Sequence, residues 1–198
     1  RGTVIATMSK SFKKVLIIKT SSLGDVIHTL PALTDSASKL PGICFDWLVE
    51  EPYAEIAGWH PSVAKVIPVS IRQWRKAPLR SLFSESWRSF RRELAIEQYD
   101  AVIDAQGLFK SAMLAPMANG RRYGYDRKSA RESIASLFYQ SKIAVASNQH
   151  AVERTRQLFA AALDYQVPLG LGDYGIKSSL AEGFAEAQQA PYLVFLHG

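Results

Sequence analysis

The sequence predicts an α/β domain with a parallel sheet covered by helices on both faces. Short, fully apolar runs such as Val15-Leu16-Ile17-Ile18 read as buried parallel strands. They alternate with stretches of helical periodicity, the pattern of a parallel sheet. The 198-residue length, 47% hydrophobic and 21% charged, suits one domain with a real core, or one domain and the start of a second.

The elements follow in order. Val15–Ile18 is the first strand, and Thr20-Ser21-Ser22-Leu23-Gly24-Asp25 a polar loop after it. Val26, Ile27, Leu30 and Leu33 recur at helical spacing, so a helix starts near Gly24-Asp25. Pro31 in its second turn kinks it or delays its start. Phe45–Val49 is the next strand, Pro52–Gly58 a short helix and Val63–Val69 a third strand. A helix over 84–97, a strand over Ala101–Asp104, a helix over Leu108–Met117 and a long amphipathic helix over 149–164 continue the alternation. Gly170–Gly175 is loop-like, Ala181–Gln189 a polar helix and Pro191–Leu196 a buried-type strand. That last strand stands at the end of the chain, as in a chain truncated just inside a second α/β domain. The first residue is Arg1, and Met8 is a candidate start after a leader.

No apolar run reaches the roughly 18–20 residues that span a bilayer, and the N-terminus lacks the apolar core of a secretory signal. The single cysteine, Cys44, excludes an intrachain disulfide and reads as a buried core residue. The net charge of +6 is unevenly placed. Arg72, Arg75, Lys76, Arg80, Arg88, Arg91 and Arg92 face only Glu85 within 72–92. Arg121, Arg122, Arg127, Lys128 and Arg131 face only Asp126 within 121–131. Local basicity of this kind implies an anionic partner. Nucleic acid is not expected, because no RNA- or DNA-binding motif accompanies the basic segments.

Three segments carry chemistry. Lys19–His28 joins a strand end to a helix start through a Ser/Thr-rich loop with one glycine. Ligands of open parallel sheets bind at such strand ends, and a helix N-terminus offers free N–H groups. The segment is neither G-x-G-x-x-G nor a Walker loop, which excludes the dinucleotide and P-loop readings. Asp25 at that helix start is favourable whether or not it has a function. Asp104-Ala105-Gln106-Gly107 is a second strand end on the same rim. In the third segment, Arg72, Arg75 and Lys76 precede Leu79, Leu82, Phe83, Trp87 and Phe90, which lie near one helical face. That pattern suits a helix on an anionic membrane surface or an ordinary amphipathic helix on a core.

Six segments in order, KTSSLGDVIHTLPAL, FDWLVEEPYAEIAGWHPSV, VIPVSIRQWRK, YDAVIDAQGLFKSA, ARESIASLFY and HAVERTRQLFA, resemble lipopolysaccharide heptosyltransferase I sequences, a group within glycosyltransferase family 9. The resemblance runs from about residue 14 to residue 198. It implies the N-terminal, Rossmann-like half of a GT-B fold and an inverting transfer of L-glycero-D-manno-heptose from ADP-heptose to Kdo2-lipid A. It also implies work at the cytoplasmic face of the Gram-negative inner membrane, peripheral on its anionic surface. In the family motif S-S-x-G-D-V the aspartate is the general base, here Asp25. Acceptor contacts implied by the resemblance are Ser21, Ser22, Gly24, Arg72, Arg75, Lys76, Gln106, Arg131 and Arg154, with Arg156 an alternative to Arg154. Where the family has a further basic residue, this chain has Gln73.

The physics agrees with these roles. An acceptor hydroxyl needs a base, and a carboxylate at a sheet rim suits that. Kdo carboxylates and lipid A phosphates need cationic partners. No D-x-D pair occurs, so neither a metal nor another cofactor is expected. The expected organisation is a leader or disordered N-terminus over 1–13, an acceptor-binding domain over 14–178, and a linker helix and first strand of a donor-binding domain over 179–198. On this reading residues 1–198 hold an acceptor site and a base but no complete donor site. The alternative is a non-catalytic module that binds anionic glycolipid or membrane.

The basic stretch yields the first prediction. Replacing Arg72, Arg75 and Lys76 together with alanine weakens binding to Kdo2-lipid A vesicles, and the deficit shrinks as salt screens charges over about 8–10 Å. Equal affinity of the triple variant and the parent at low salt refutes that role.

Overall fold

The computed structural model describes residues 12–71 and 84–176. The leader, Arg72, Arg75 and Lys76, and the elements predicted over 181–189 and 191–196 lie outside the described residues.

Six parallel strands make one sheet in the order β3-β2-β1-β4-β5-β6. The strands are β1 (Lys14–Ile18), β2 (Cys44–Glu50), β3 (Val63–Val69), β4 (Ala101–Asp104), β5 (Arg122–Tyr125) and β6 (Ser141–Ile143). The chain starts at the centre, steps outward through β2 to β3, and crosses back to place β4 on the other side of β1. Leu16 of β1 thus lies opposite both Asp46 and Val102. The order reverses between β1 and β4, which opens a crevice at their carboxyl ends, the ligand position in sheets of this order. Pro68, which has no N–H to give, sits in edge strand β3, where that loss is tolerated.

Both faces are covered, as the apolar runs require. Side chains alternate along β1: Val15 and Ile17 face one layer, Leu16 and Ile18 the other. The first layer holds α1 (Leu23–Ile27), α2 (Leu30–Lys39), the short α3 (Ala54–Ala57) and α6 (Ala151–Leu163). Val26, Leu30, Leu33, Leu158 and Phe159 fill it against Phe45 and Trp47. The second layer holds α4 (Glu85–Ile96), with Phe90 and Leu94 buried on Ile67 and Val102. The basic segment's helix is therefore a core helix over its described part, and Arg88, Arg91 and Arg92 are exposed.

Several elements differ from the sequence reading. The helix expected from Gly24 divides into α1 and α2, with Pro31 in the first turn of α2, where its missing N–H costs nothing. The helix expected over Leu108–Met117 divides likewise into α5 (Phe109–Ala112) and a 3-10 turn over Ala115–Met117 that contains Pro116. Strands β5 and β6 were not predicted. Their sequences, RYGY and SKI, are too short and too polar to show a strand period. Gly124 within β5 has a steric reason: a Cβ there would overlap the Tyr139 ring. Cys44, expected in the core, is only half-buried at the first position of β2, where its thiol donates to the Lys13 carbonyl at 3.2 Å.

Arg156 ties the first layer together. It is 2% exposed, and its Nε donates to Asp35 Oδ2 on α2 at 2.7 Å. Its remaining N–H groups donate to Glu153 and to the carbonyls of Pro168 and Gly170, which fixes the segment after α6 across α2. This saturated burial rules Arg156 out as an acceptor contact. Removing one partner of a buried pair leaves an uncompensated charge, so Arg156→Met costs about 3–5 kcal/mol in urea unfolding of the chain. A loss under about 1 kcal/mol places the pair among those with no net effect.

Candidate active site

The site forms where β1, β4 and β5 deliver their following loops to one rim. Past the end of β1, Lys19 and Thr20 stay buried, and the pairing continues through Lys19 N to Leu48 O at 3.2 Å and Glu50 N to Thr20 O at 3.0 Å. The Gln106 side chain, 2% exposed, then holds the turn, its Oε1 accepting from the N–H groups of Thr20 at 3.2 Å and Ser21 at 3.3 Å. The Ser21–Ser22 peptide bond is cis. Ser22 and Gly24 are exposed, and a Cβ on Gly24 meets nothing within 4 Å, so packing inside the chain does not require glycine there.

Asp25 lies in the first turn of α1, where its Oδ2 accepts from Ser22 N–H at 3.3 Å. Arg131 grips the same carboxylate with two N–H groups, Nη1 to Oδ2 at 3.1 Å and Nη2 to Oδ1 at 2.8 Å. The Lys19 ammonium lies 3.6 Å from Oδ1 and donates to Ala105 O, at the end of β4, at 3.0 Å. Burial alone would push the Asp25 carboxyl up. The charges of Lys19 and Arg131 outweigh it and hold the group below the usual carboxylate range. Lys19 moves the other way. Burial pulls it from 10.5 down to about 8 against the attraction of Asp25, with Arg131 adding to the fall.

Two loops bring Arg131 to Asp25. Gly107 adopts φ +67°, and a Cβ there would stand 3.2 Å from the Tyr125 ring and 3.4 Å from Arg131 N. Its carbonyl accepts from Glu132 N at 3.0 Å, and the Glu132 carboxylate accepts from Phe109 N at 2.6 Å. The Arg131 backbone is thereby pinned while its side chain remains half exposed. Arg154 supports this loop from α6: its guanidinium donates to Ser129 O and lies 5.1 Å from the Tyr125 ring centroid.

Of the residues singled out in the sequence, the structure therefore brings together Ser21, Ser22, Gly24, Asp25, Gln106 and Arg131. Gln106 and Arg154 spend their described contacts on the loops themselves. Asp104, the other acid on the rim, is fully buried beneath four donors and cannot meet a ligand, so it is no substitute base. Sequence reasoning missed Lys19, although a lysine ending a buried strand is unusual enough to have flagged it. It also missed Lys110, whose ammonium reaches Ser21 Oγ at 3.4 Å. The His28 and His150 rings meet edge to face, 5.1 Å apart, at the C-terminal end of α1, with His28 still within the electrostatic reach of Asp25 and Lys19. Burial, then the neighbouring His150, lowers His28 from its ordinary value. Among the described residues no group of three or more His, Cys, Asp or Glu is placed to hold a metal ion.

Residues 87–198 match the family described as Glycosyltransferase family 9 (heptosyltransferase). The chain is 58% identical over 192 residues to Lipopolysaccharide heptosyltransferase 1 of Pseudomonas aeruginosa, with 93% of this chain and 52% of that protein covered. It is 55% identical over 188 residues to Lipopolysaccharide heptosyltransferase 1 of Salmonella typhimurium, with 93% and 58% covered. The solved structure of E. coli heptosyltransferase WaaC with ADP-2-deoxy-2-fluoro heptose superposes with a TM-score of 0.78 at 53% identity, with 87% of this chain and 54% of that chain covered. The chain thus spans about half the length of the curated relatives it matches.

Lys19 offers a direct check of the site's electrostatics. Its folded midpoint near 8 lies below the ordinary 10.5, so between those values the unfolded chain binds the extra proton. Stability contributed by this group therefore rises with pH across that window. Urea unfolding at pH 8 and at pH 10.5 shows the parent gaining on Lys19→Met as pH increases. A constant difference between the two proteins contradicts the lowered midpoint.

Proposed function

Because this chain belongs to glycosyltransferase family 9, we propose that it carries the acceptor-binding half of an inverting heptosyltransferase. The proposed reaction moves L-glycero-D-manno-heptose from ADP-heptose to a Kdo hydroxyl of Kdo2-lipid A. The names of the Pseudomonas and Salmonella relatives support the reaction class, and the ADP-2-deoxy-2-fluoro heptose seen with the E. coli relative supports the donor class.

The observation that carries this reading is Asp25, a carboxylate at the switch point between β1 and β4, set among cations. In the proposed step Asp25 takes the proton of the acceptor hydroxyl as that oxygen bonds to the anomeric carbon. The bond from that carbon to the ADP oxygen breaks on the opposite face. ADP leaves with the electron pair, and the configuration inverts. Arg131, with Arg72, Arg75 and Lys76, would pair with Kdo carboxylates and lipid A phosphates. Metal-free transfer without a cofactor belongs to the proposal, supported by cations on Asp25 where a metal site would gather further carboxylates.

Action at the anionic cytoplasmic face of the inner membrane is likewise proposed. Its support is the exposed apolar group Phe109, Met113, Ile134 and Leu137 on α5 and the adjacent 3-10 segment Ser133–Phe138, which lie beside Lys110 and Arg131 in the chain. The same surface favours a second reading, a non-catalytic module that binds anionic glycolipid.

The two readings part on Asp25→Asn, assayed in this chain fused to the portion of the Pseudomonas relative that it does not span. Asparagine keeps the size and the helix-capping ability but takes no proton. General-base catalysis typically contributes on the order of 10²–10⁴ in rate, so kcat falls by that order while donor binding stays close to the parent. Loss of the helix-start charge alone costs about 0.3–1 kcal/mol and leaves kcat in place. Near-parental kcat removes Asp25 from the chemistry.

A further inference from the structure

Asp25 has little room for a proton. Its Oδ1 is held by Arg131 Nη2 at 2.8 Å with the Lys19 ammonium 3.6 Å away. Its Oδ2 accepts from Arg131 Nη1 at 3.1 Å and Ser22 N–H at 3.3 Å. A hydroxyl proton approaching this carboxylate meets a guanidinium already in its plane. The two cations are held differently. The Lys19 side chain is 6% exposed and fixed by Ala105 O, whereas that of Arg131 is 47% exposed. Among the described residues the Arg131 guanidinium has hydrogen bonds only to Asp25. Its backbone, in contrast, is anchored through Glu132 to Gly107 and Phe109. One cation is therefore built to stay and the other to swing.

We propose that Arg131 is a positioning residue that covers the Asp25 carboxylate until a carboxylate or phosphate on the acceptor takes its guanidinium. Base and acceptor anion are thus alternative partners of one side chain. The inference rests on the reading of Asp25 as the base. Arginine pairs bidentately with carboxylate and with phosphate, so the exchange trades one charge-assisted pair for another. After it Asp25 is still neutralised by Lys19, so no bare charge remains in the crevice. The freed oxygen has an open lone pair when an anionic acceptor is in place, and a neutral sugar or water alone does not open it. With Arg131 gone, the carboxylate also loses one of the two charges that depress it, which makes it a better base.

The exchange is read without turnover. In the full chain labelled with ¹³C at aspartate, the Asp25 carboxyl resonance, identified by its loss in Asp25→Asn, is titrated with pH. The probes are free Kdo, inorganic phosphate and methyl mannoside. The expected result is an upward shift of the Asp25 midpoint with Kdo or phosphate and none with methyl mannoside. A shift with Kdo alone assigns the exchange to a carboxylate, and one with phosphate alone to a phosphate. Arg131→Ala begins at the raised midpoint and no longer responds. Arg131→Lys, a point charge unable to hold both oxygens, lies between, with an amide spectrum that verifies its fold. Four results overturn the proposal: an unmoved midpoint in Arg131→Ala, a probe response that survives in that variant, a response to methyl mannoside equal to that of the anions, or no response to either anion. Binding of both anions with Asp25 unmoved by either sinks the exchange and leaves the acceptor reading intact. Undiminished transfer by Asp25→Asn sinks the base while the Arg131 exchange remains measurable.

Discussion

The Asp104 carboxylate accepts hydrogen bonds from the N–H groups of Gln106 at 2.8 Å and Gly107 at 3.2 Å, from Ser111 Oγ at 2.9 Å and from the Tyr139 hydroxyl at 2.7 Å. Together these bonds fix three pieces of the rim. The first two set the turn that presents Gln106 to the Thr20–Ser21 loop and puts Gly107 against Arg131. The third starts α5, and the fourth draws Tyr139 across β5, where Gly124 leaves room for its ring. Asp104 is fully buried, and burial pushes its carboxyl up, while all four donors oppose that rise. A fully satisfied buried polar group rigidifies its surroundings, and a half-satisfied one is costly, so these loops have little freedom to rearrange separately.

On that rigid frame the crevice gathers charges that solvent would otherwise separate. Lys19 enters a buried position that pulls its own midpoint down, and it is tolerable there because Asp25 lies opposite and Ala105 O accepts its hydrogen bond. Asp25 is in turn tolerable because two cations face it. Breaking such a set by removing one member leaves the others under-compensated. Asp25 and Lys19 follow β1, the Ala105 carbonyl follows β4 and Arg131 follows β5, so the set is complete only in the assembled sheet. It also separates the site from the Arg156–Asp35 pair. That pair is buried under two carbonyls and a second carboxylate and serves only the packing of α2 on α6.

Much of the fold was legible in the sequence because apolar runs in a two-faced parallel sheet leave a strong trace. Val15–Ile18, Val63–Val69 and Ala101–Asp104 were read within a residue of their bounds. Strands β5 and β6 were not, because their stability comes from neighbours: Arg122 N donates to the Gln140 side chain and Asp126 N to Ile143 O. Within the site, Asp25 and the loop around it stood out, since a strand end, a polar loop and a helix start fall within ten residues. The Arg131 contact did not, since 106 residues separate it from Asp25 and no local pattern encodes a meeting made by strand order. The place of Asp104 was hidden for a related reason. Sequence shows an acid at a rim but not the four donors that bury it.

The choice of cations follows from what each place asks. The position beside β4 accepts a compact ammonium that a single carbonyl and one carboxylate oxygen can satisfy, and Lys19 has both. A guanidinium there would bury five donors with too few acceptors. At the mouth of the crevice the requirement reverses. A side chain that passes from one anion to another, as proposed, needs a planar fork that stays charged at any working pH and sheds water readily, and arginine has those properties where lysine does not. Arg131 stands at that mouth, half exposed, on a loop whose backbone is held by Gly107 and whose end is braced by Arg154. In the proposed exchange the same fork geometry that grips Asp25 would grip an acceptor carboxylate or phosphate. Under that proposal the local concentration of acceptor anion, more than any change in the protein, would decide which of the two it holds.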